Sequence, residues 1–510
     1  MELVATDSKN NIREAAMENL KLNLWEIKNV CEKHGVDTDS LWNDLLRRIK
    51  LPKLAKASRY DKRSGVGTVV LLETALAAKL FVIGSILGFF AKALAGAVDF
   101  EQTALYRFLQ SDLLNWRSVL FELGRQLRAA DVETGGNLPT ALIVDDTTIE
   151  KTGRRIEGAS NVHDHTTGGF VLGFKLVALA WFDGLACRFL DSAPVKERTA
   201  SLKKVKGKFS KKREADTPGA KRKSEMTVDK ISLAIAMLRR AVKNGFIPQF
   251  VLTDSWFTCL ELIKVVRSLG KGSVHFLGMI KFSSRKLEWE GSSHTLATLR
   301  KANMGEVVRC RRFRAMYIQV DCVLPGFGEV RIFISRFAGS KKWVALLTTD
   351  LRMTYVKAIE TYMIRWNIEI CFKETKQLLG LEKCQARDLD SQIAHFTLVF
   401  MAHALLVDLK TREEYRSLGV LFEALGGQRR AALVTERIIA AFEEFLRAAA
   451  DSMGGVDKVT VGELLDSEMF GVFKKVVLGT TTDFQQKWNP SQVIDESRNP
   501  IERSEKAVGF

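Results

Sequence analysis

The 510 residues exceed what one ordinary core can hold, so two to four structural units are expected. Hydrophobic content of 46% and charged content of 27% fit a soluble globular protein rather than a fibrous or disordered one. Set against 60 Asp and Glu, 77 Lys and Arg leave a charge of +17, which suits a polyanion such as nucleic acid, although a merely basic protein would carry it too.

The N-terminus, MELVATDSKNNIREAAMENL, lacks the basic flank and apolar run of a secretory signal. Residues 1–135 read as a helical region, with periodic apolar positions in MENLKLNLWEIKNVCEKHG and SVLFELGRQLRAA. Between them VGTVVLLETALAAKLFVIGSILGFFAKALAGAVDF is broken by Glu73, Lys79 and Lys92. Its longest uncharged piece falls short of the roughly 20 residues of a membrane span, so a buried helix pair is expected. The segment FEQTALYRFLQSD adds a short helix holding Tyr106 and Arg107.

Strand texture begins at ALIVDD (141–146), a buried apolar run closed by two acids. FVLGFKLVALAWFDG and LACRFLDSAPV follow as two strands joined by a tight turn at Asp183-Gly184. A helix at about 227–244, the strand PQFVLTD, the helix ELIKVVRSLG and the strand SVHFLGMI complete a set that predicts an α/β, ribonuclease H-like catalytic core over 136–281 and 351–410. Residues 282–350 read as a β-rich insertion, basic at Arg309, Arg311, Arg312 and Arg314. A long apolar helix lies in DSQIAHFTLVFMAHALLVDLK, and 411–510, including RIIAAFEEFLRAAA, reads as a helical C-terminal region. The stretch 196–223 carries twelve Lys or Arg against three acids and is expected to be a mobile loop, either solvated or gripping phosphates. Seven cysteines without a C-x-x-C pair fit a reducing cytoplasm.

Asp146 and Asp254 close two apolar strands, and carboxyl ends of strands are where open α/β sheets place their sites. Glu369 lies among apolar residues of a helix. Three converging carboxylates repel one another, and a pair of hard divalent cations, Mg²⁺ with Mn²⁺ as a substitute, offsets that charge. Two such metals on Asp146, Asp254 and Glu369 suffice for phosphodiester chemistry. On YMIRWNIEICFKETK, the residues Tyr362, Arg365, Glu369 and Lys376 fall within roughly 60° of one another on a single helix. Glu369 would then be a metal ligand, Tyr362 and Arg365 would hold the phosphate beside the scissile bond, and Lys376 would contact the DNA backbone further along.

Tyr, two residues, Arg, three residues, Glu, six residues, Lys resembles the Tyr-Arg-Glu-Lys signature of bacterial insertion-sequence DDE transposases. Asp146 in VDDTT and Asp254 in VLTDSWF are similar to that family's two aspartates, and YRFL (106–109) and the β insertion also fit it. The resemblance implies cut-and-paste transposition by an endonuclease of bacterial cytoplasm, associated with the nucleoid. Such an enzyme binds terminal inverted repeats through an N-terminal region, pairs two ends as a homodimer with the C-terminal region as one site of contact, and joins the 3′-OH to target DNA. Some members pass through a DNA hairpin with a base stacked on a tryptophan, which Trp343 resembles.

Bland readings stand beside these. Adjacent strand residues face opposite ways, so only one of Asp145 and Asp146 is expected in the site, and the threonines favour Asp146. Arg365 and Glu369 are spaced for a plain helix salt bridge, and Trp343 for an ordinary core residue. His163 and His165 invite a metal reading but have no further ligand nearby in sequence. The rival functions are a ribonuclease H-like nuclease or resolvase without strand transfer, and a DNA-binding protein without catalysis.

Overall fold

The computed structural model describes residues 49–60, 64–80, 100–130, 138–164, 168–196 and 209–412. The helices expected in MENLKLNLWEIKNVCEKHG and RIIAAFEEFLRAAA, and the second half of the apolar stretch, lie outside the described residues.

The N-terminal part is helical where described: α1 (Leu51–Ala57), α2 (Thr68–Leu80), α3 (Gln102–Leu109) and α4 (Trp116–Ala130). The sheet then builds on β1 (Ala141–Glu150), whose residues Ala141 to Val144 are fully buried. β2 (Ser160–Asp164) and β4 (Cys187–Val195) both pair antiparallel with β3 (Gly169–Phe182), which pairs antiparallel with β1 along its whole length. The β3–β4 turn falls at Asp183-Gly184 as expected. Gly184 takes a φ of 103°, and Asp183 Oδ1 accepts the N–H groups of Leu185 and Ala186.

After α5 (Pro218–Glu225) and α6 (Lys230–Lys243), β5 (Phe250–Thr253) lies parallel to β1. Beyond α7 (Leu260–Ser268), β6 (His275–Ile280) lies parallel to β5. Leu142 and Val144 of β1 pack with Val177, Leu179, Leu233, Leu238 and Val266 on the α6–α7 face of the sheet. Residues 282–350 supply β7 (Leu287–Trp289), β8 (Ser292–His294), α8 (Leu296–Ala302), β9 (Val308–Cys310), β10 (Ala315–Leu324), β11 (Gly328–Phe337) and β12 (Val344–Thr348). β12 pairs antiparallel with β6, so this region prolongs the same sheet, which reaches 12 strands among the described residues.

α9 (Tyr355–Met363), α10 (Trp366–Gln377) and α11 (Leu389–Arg412) follow. They contribute to the opposite face, where Phe189 of β4 stacks on Phe400 at 4.0 Å and packs against Phe372 at 5.1 Å. α11 is long and apolar enough to cross a membrane, but 94% of its most apolar window is buried inside the protein, as befits a core helix. The six described cysteines are all free.

One expectation fails. The basic stretch 196–223 is not a single solvated loop, although 197–208 lie outside the described residues. Thr217 caps α5, with its hydroxyl accepting the Ala220 N–H, and the Arg213 side chain is only 2% exposed. Arg213 pairs with Glu157 at 2.7 Å and Asp390 at 3.0 Å, and Lys223 pairs with Glu157 at 2.9 Å. Composition hid this because the balancing acids lie at distant positions in the chain.

Candidate active site

Val144 and Thr253 are the last parallel partners of β1 and β5, and Asp145 and Asp254 come immediately after them. β1 runs on to Glu150 because β3 continues to pair with it, so Asp146 sits within the strand rather than closing it as expected. β5 instead breaks into a turn. Asp254 Oδ1 accepts the N–H groups of Trp256 at 2.9 Å and Phe257 at 3.0 Å, and the Thr258 hydroxyl donates to the Asp254 carbonyl at 2.8 Å. The diverging strands open a crevice at the carboxyl end of the parallel pair, a preferred place for sites in α/β sheets. A cleft of about 510 Å³ is lined there by Asp145, Asp146, Asp254, Arg365, Glu369 and Lys376, among others.

Both adjacent acids reach this cleft, from opposite faces of β1. Asp146 shares the face of Val144 and Thr148 and meets the start of α6: its Oδ2 lies 3.1 Å from Lys230 Nζ and 3.8 Å from Lys175 Nζ. Lys175, opposite Thr148 in the β1–β3 ladder, donates to the Thr148 hydroxyl at 2.9 Å. Asp145 faces the other way, with Oδ2 3.0 Å from Arg365 Nη1. Burial pushes the Asp145 carboxyl up to about 7, against the pull of Arg365 and aided by the charges of Asp254 and Asp146.

The helix expected to run unbroken from Tyr362 to Lys376 is two helices, α9 and α10. At the junction Ile364, Arg365, Asn367 and Ile368 donate to carbonyls three residues back rather than four. Such tightening eclipses side chains three apart, and the Arg365 guanidinium lies 5.6 Å from the Tyr362 ring centroid. Arg365 Nη2 donates to Glu369 Oε1 at 2.6 Å, so the ordinary helix salt bridge is present, but the same guanidinium also reaches Asp145. Its Nε and the Tyr362 hydroxyl are buried without a hydrogen-bond partner of acceptable geometry. Burial pushes the Tyr362 phenol up to about 12, so it remains a donor. Glu369 is in the first turn of α10, and its flank is less buried than its apolar neighbours suggested: Met363, Trp366 and Ile370 are exposed.

Lys376 donates to the Thr148 carbonyl at 2.7 Å and pairs with Glu382 at 2.8 Å. Trp343, at the edge of β12, is half-buried against the core with Arg300 and Arg336 within 5.4 Å of its ring centroid. Arg309 is in β9, whereas Arg311, Arg312 and Arg314 form the exposed β9–β10 turn, from which Arg312 pairs with Glu360 of α9. His163 meets Phe170 edge-on, and His165 lies outside the described residues. Sequence reasoning missed Lys175 and Lys230. Lys175 did carry a signal: a lysine inside the apolar run FVLGFKLVALAWF requires a buried acceptor.

Among the described residues no three His, Cys, Asp or Glu side chains converge on one point. The acids nonetheless fit Mg²⁺ in donor type, since Asp146, Asp254 and Glu369 offer hard oxygens to one cleft. Protein cations hold two of them: Lys230 sits on Asp146 and Arg365 on Glu369.

Two family models match the chain. Residues 85–276, which include Asp146 and Asp254, match the DDE superfamily endonuclease, and residues 224–405, which include Asp254 and Glu369, match the transposase DDE domain. No curated protein matches the chain. The two matches support a DDE transposase, an enzyme of the nuclease and transposase families that acts on DNA.

Proposed function

We propose that this DDE-type protein is a cut-and-paste transposase of the Tyr-Arg-Glu-Lys group, with β1, β3, β4, β5 and β6 as a ribonuclease H-like core. The observation that carries the reading is the crevice where β1 and β5 part, lined by Asp146, Asp254 and Glu369 from three distant parts of the chain. Asp146, Asp254 and Glu369 would hold Mg²⁺, or Mn²⁺ in its place, which supplies Lewis acidity for displacement at phosphorus. Arg365, which lines the cleft, and Tyr362 beside it are assigned to the phosphate next to the scissile bond. Lys376 and the β9–β10 arginines extend the cationic track along the DNA backbone. Trp343 is assigned to stacking on an extruded base, which would have to displace Arg300 or Arg336 from its ring. Terminal inverted repeats and target DNA are the substrates, and two ends are held by a homodimer in the bacterial cytoplasm.

The test uses duplex DNA from the sequence flanking the coding region, incubated with protein and Mg²⁺. Wild type is expected to nick the duplex and join its 3′-OH to a second DNA, whereas Glu369→Gln binds the duplex but yields neither product. Cleavage without joining would favour a nuclease or resolvase. Indifference of every activity to Glu369→Gln would overturn the reading.

A further inference from the structure

Lys230 has no place in the signature or in the strand-end acids, yet it makes the closer of the two lysine contacts to Asp146. The two lysines there are built differently. Lys175 rises from the middle of β3, its side chain is 3% exposed, and Thr148 fixes its ammonium. Lys230 is the first residue of α6, whose N-cap is Asp229, so its stem hangs from a helix end beside the cleft. Its Nζ also lies 4.7 Å from the ring centroid of Trp256, an exposed indole two residues after Asp254. The ammonium therefore lies between the Asp146 carboxylate and the face of that indole, which still holds it when the carboxylate is taken.

We infer that Lys230 is the resident counter-ion of Asp146 and a positioning residue of the reaction: it neutralises the carboxylate while the cleft is empty of DNA and yields it to a divalent cation when a DNA phosphate takes up the ammonium. The inference rests on the metal-dependent reading above. An ammonium 3.1 Å from Asp146 and a divalent cation on the same carboxylate repel each other, so they compete for it. Phosphate draws Lys230 away from that competition, so DNA binding and metal binding strengthen each other through one side chain. Linkage makes the coupling reciprocal: whatever DNA adds to metal affinity, metal adds to DNA affinity.

Mn²⁺ binding to the whole protein, followed by electron paramagnetic resonance without DNA, reads this directly. Lys230→Met is expected to raise DNA-free Mn²⁺ affinity by about tenfold, within the usual range of coupling between sites. Lys230→Arg, which keeps the charge, is expected to stay near wild type. In an Asp146→Asn background Lys230→Met is expected to give no gain, because the contested ligand is gone; circular dichroism confirms that each variant is folded. Adding the flanking duplex is expected to raise Mn²⁺ affinity in wild type and much less in Lys230→Met. Equal DNA-free affinities in wild type and Lys230→Met, with wild type still cleaving in Mn²⁺, would overturn the role of Lys230 and leave the transposase reading intact. A wild-type protein that neither binds Mn²⁺, with or without duplex, nor cleaves would overturn both.

Discussion

Replacing Asp145 by Asn tests the electrostatics of the cleft without relying on catalysis. Burial holds the Asp145 carboxyl at about 7 in the folded protein against an ordinary value of 3.8. Between those two values the folded protein keeps a proton that the unfolded chain has released, so stability falls as pH rises across the window. The contribution is fully present below 3.8 and lost above about 7. At about 1.4 kcal/mol per pKa unit, the loss is on the order of 4 kcal/mol. Asn cannot ionise and escapes it. Asn also offers one acceptor where Asp145 uses two, for the Asp146 N–H and for Arg365, a pH-independent cost of about 1–3 kcal/mol. The variant is therefore expected to be the less stable protein near pH 4. Relative to wild type it should gain on the order of 4 kcal/mol by about pH 8, enough to cancel or reverse the order. Urea unfolding at several pH values, with a chelator present to keep divalent ions off the acids, measures the difference. A stability difference that stays constant from pH 4 to pH 8 would refute the claim that Asp145 ionises at a cost.

Glu157→Gln should destabilise the protein by about 1–3 kcal/mol in urea unfolding, because Arg213 and Lys223 lose a charged acceptor while Asp390 stays on Arg213. Despite burial, hydrogen bonds from Arg213 and Lys223 hold the Glu157 carboxyl down at about 2, so the deficit should shrink as pH falls from 4.5 toward 2. Gly278→Ala places a Cβ 2.6 Å from the Thr258 hydroxyl and 2.7 Å from that of Thr253. It should cost about 1–3 kcal/mol and lower cleavage by disturbing the Thr253–Thr258 contact that supports the Asp254 turn. Removing divalent ions with a chelator should abolish cleavage of the flanking duplex, and Mg²⁺ or Mn²⁺ should restore it. Activity persisting in the chelator would exclude the metal-dependent reaction.

What the sequence made legible was local. The apolar runs of β1, β3, β5 and β6 announce buried strands without reference to anything else, and Asp183-Gly184 announces its turn. The helical period around Tyr362 to Lys376 was legible too. The 3₁₀ tightening at Ile364–Arg365 was not, because no glycine or proline marks it and each residue there is an ordinary helix former. The exposure of Trp366 and Ile370 was missed for a related reason: apolar residues announce burial only when something packs on them. The stretch 209–223 shows the same limit, since its lysines and arginines look solvated until Glu157 and Asp390 arrive from other parts of the fold.

The pairing of charges in the cleft is the least local feature, and it explains how the acids coexist there. Carboxylates at the end of one strand pair repel one another, and each must be offset or protonated. Asp146 has Lys230 and Lys175, Glu369 has Arg365, and Asp145, which shares that guanidinium, is pushed toward its protonated form. Asp254 instead spends one oxygen on the N–H groups of its own turn. None of these cations is adjacent in sequence to the aspartate it serves. They are brought in by β3, α6 and the α9–α10 junction, so the register of β1 against β3 and the docking of two helices decide the electrostatics of the site. A one-residue slip in the β1–β3 register would turn Lys175 to the face of Asp145 and leave Asp146 to Lys230 alone.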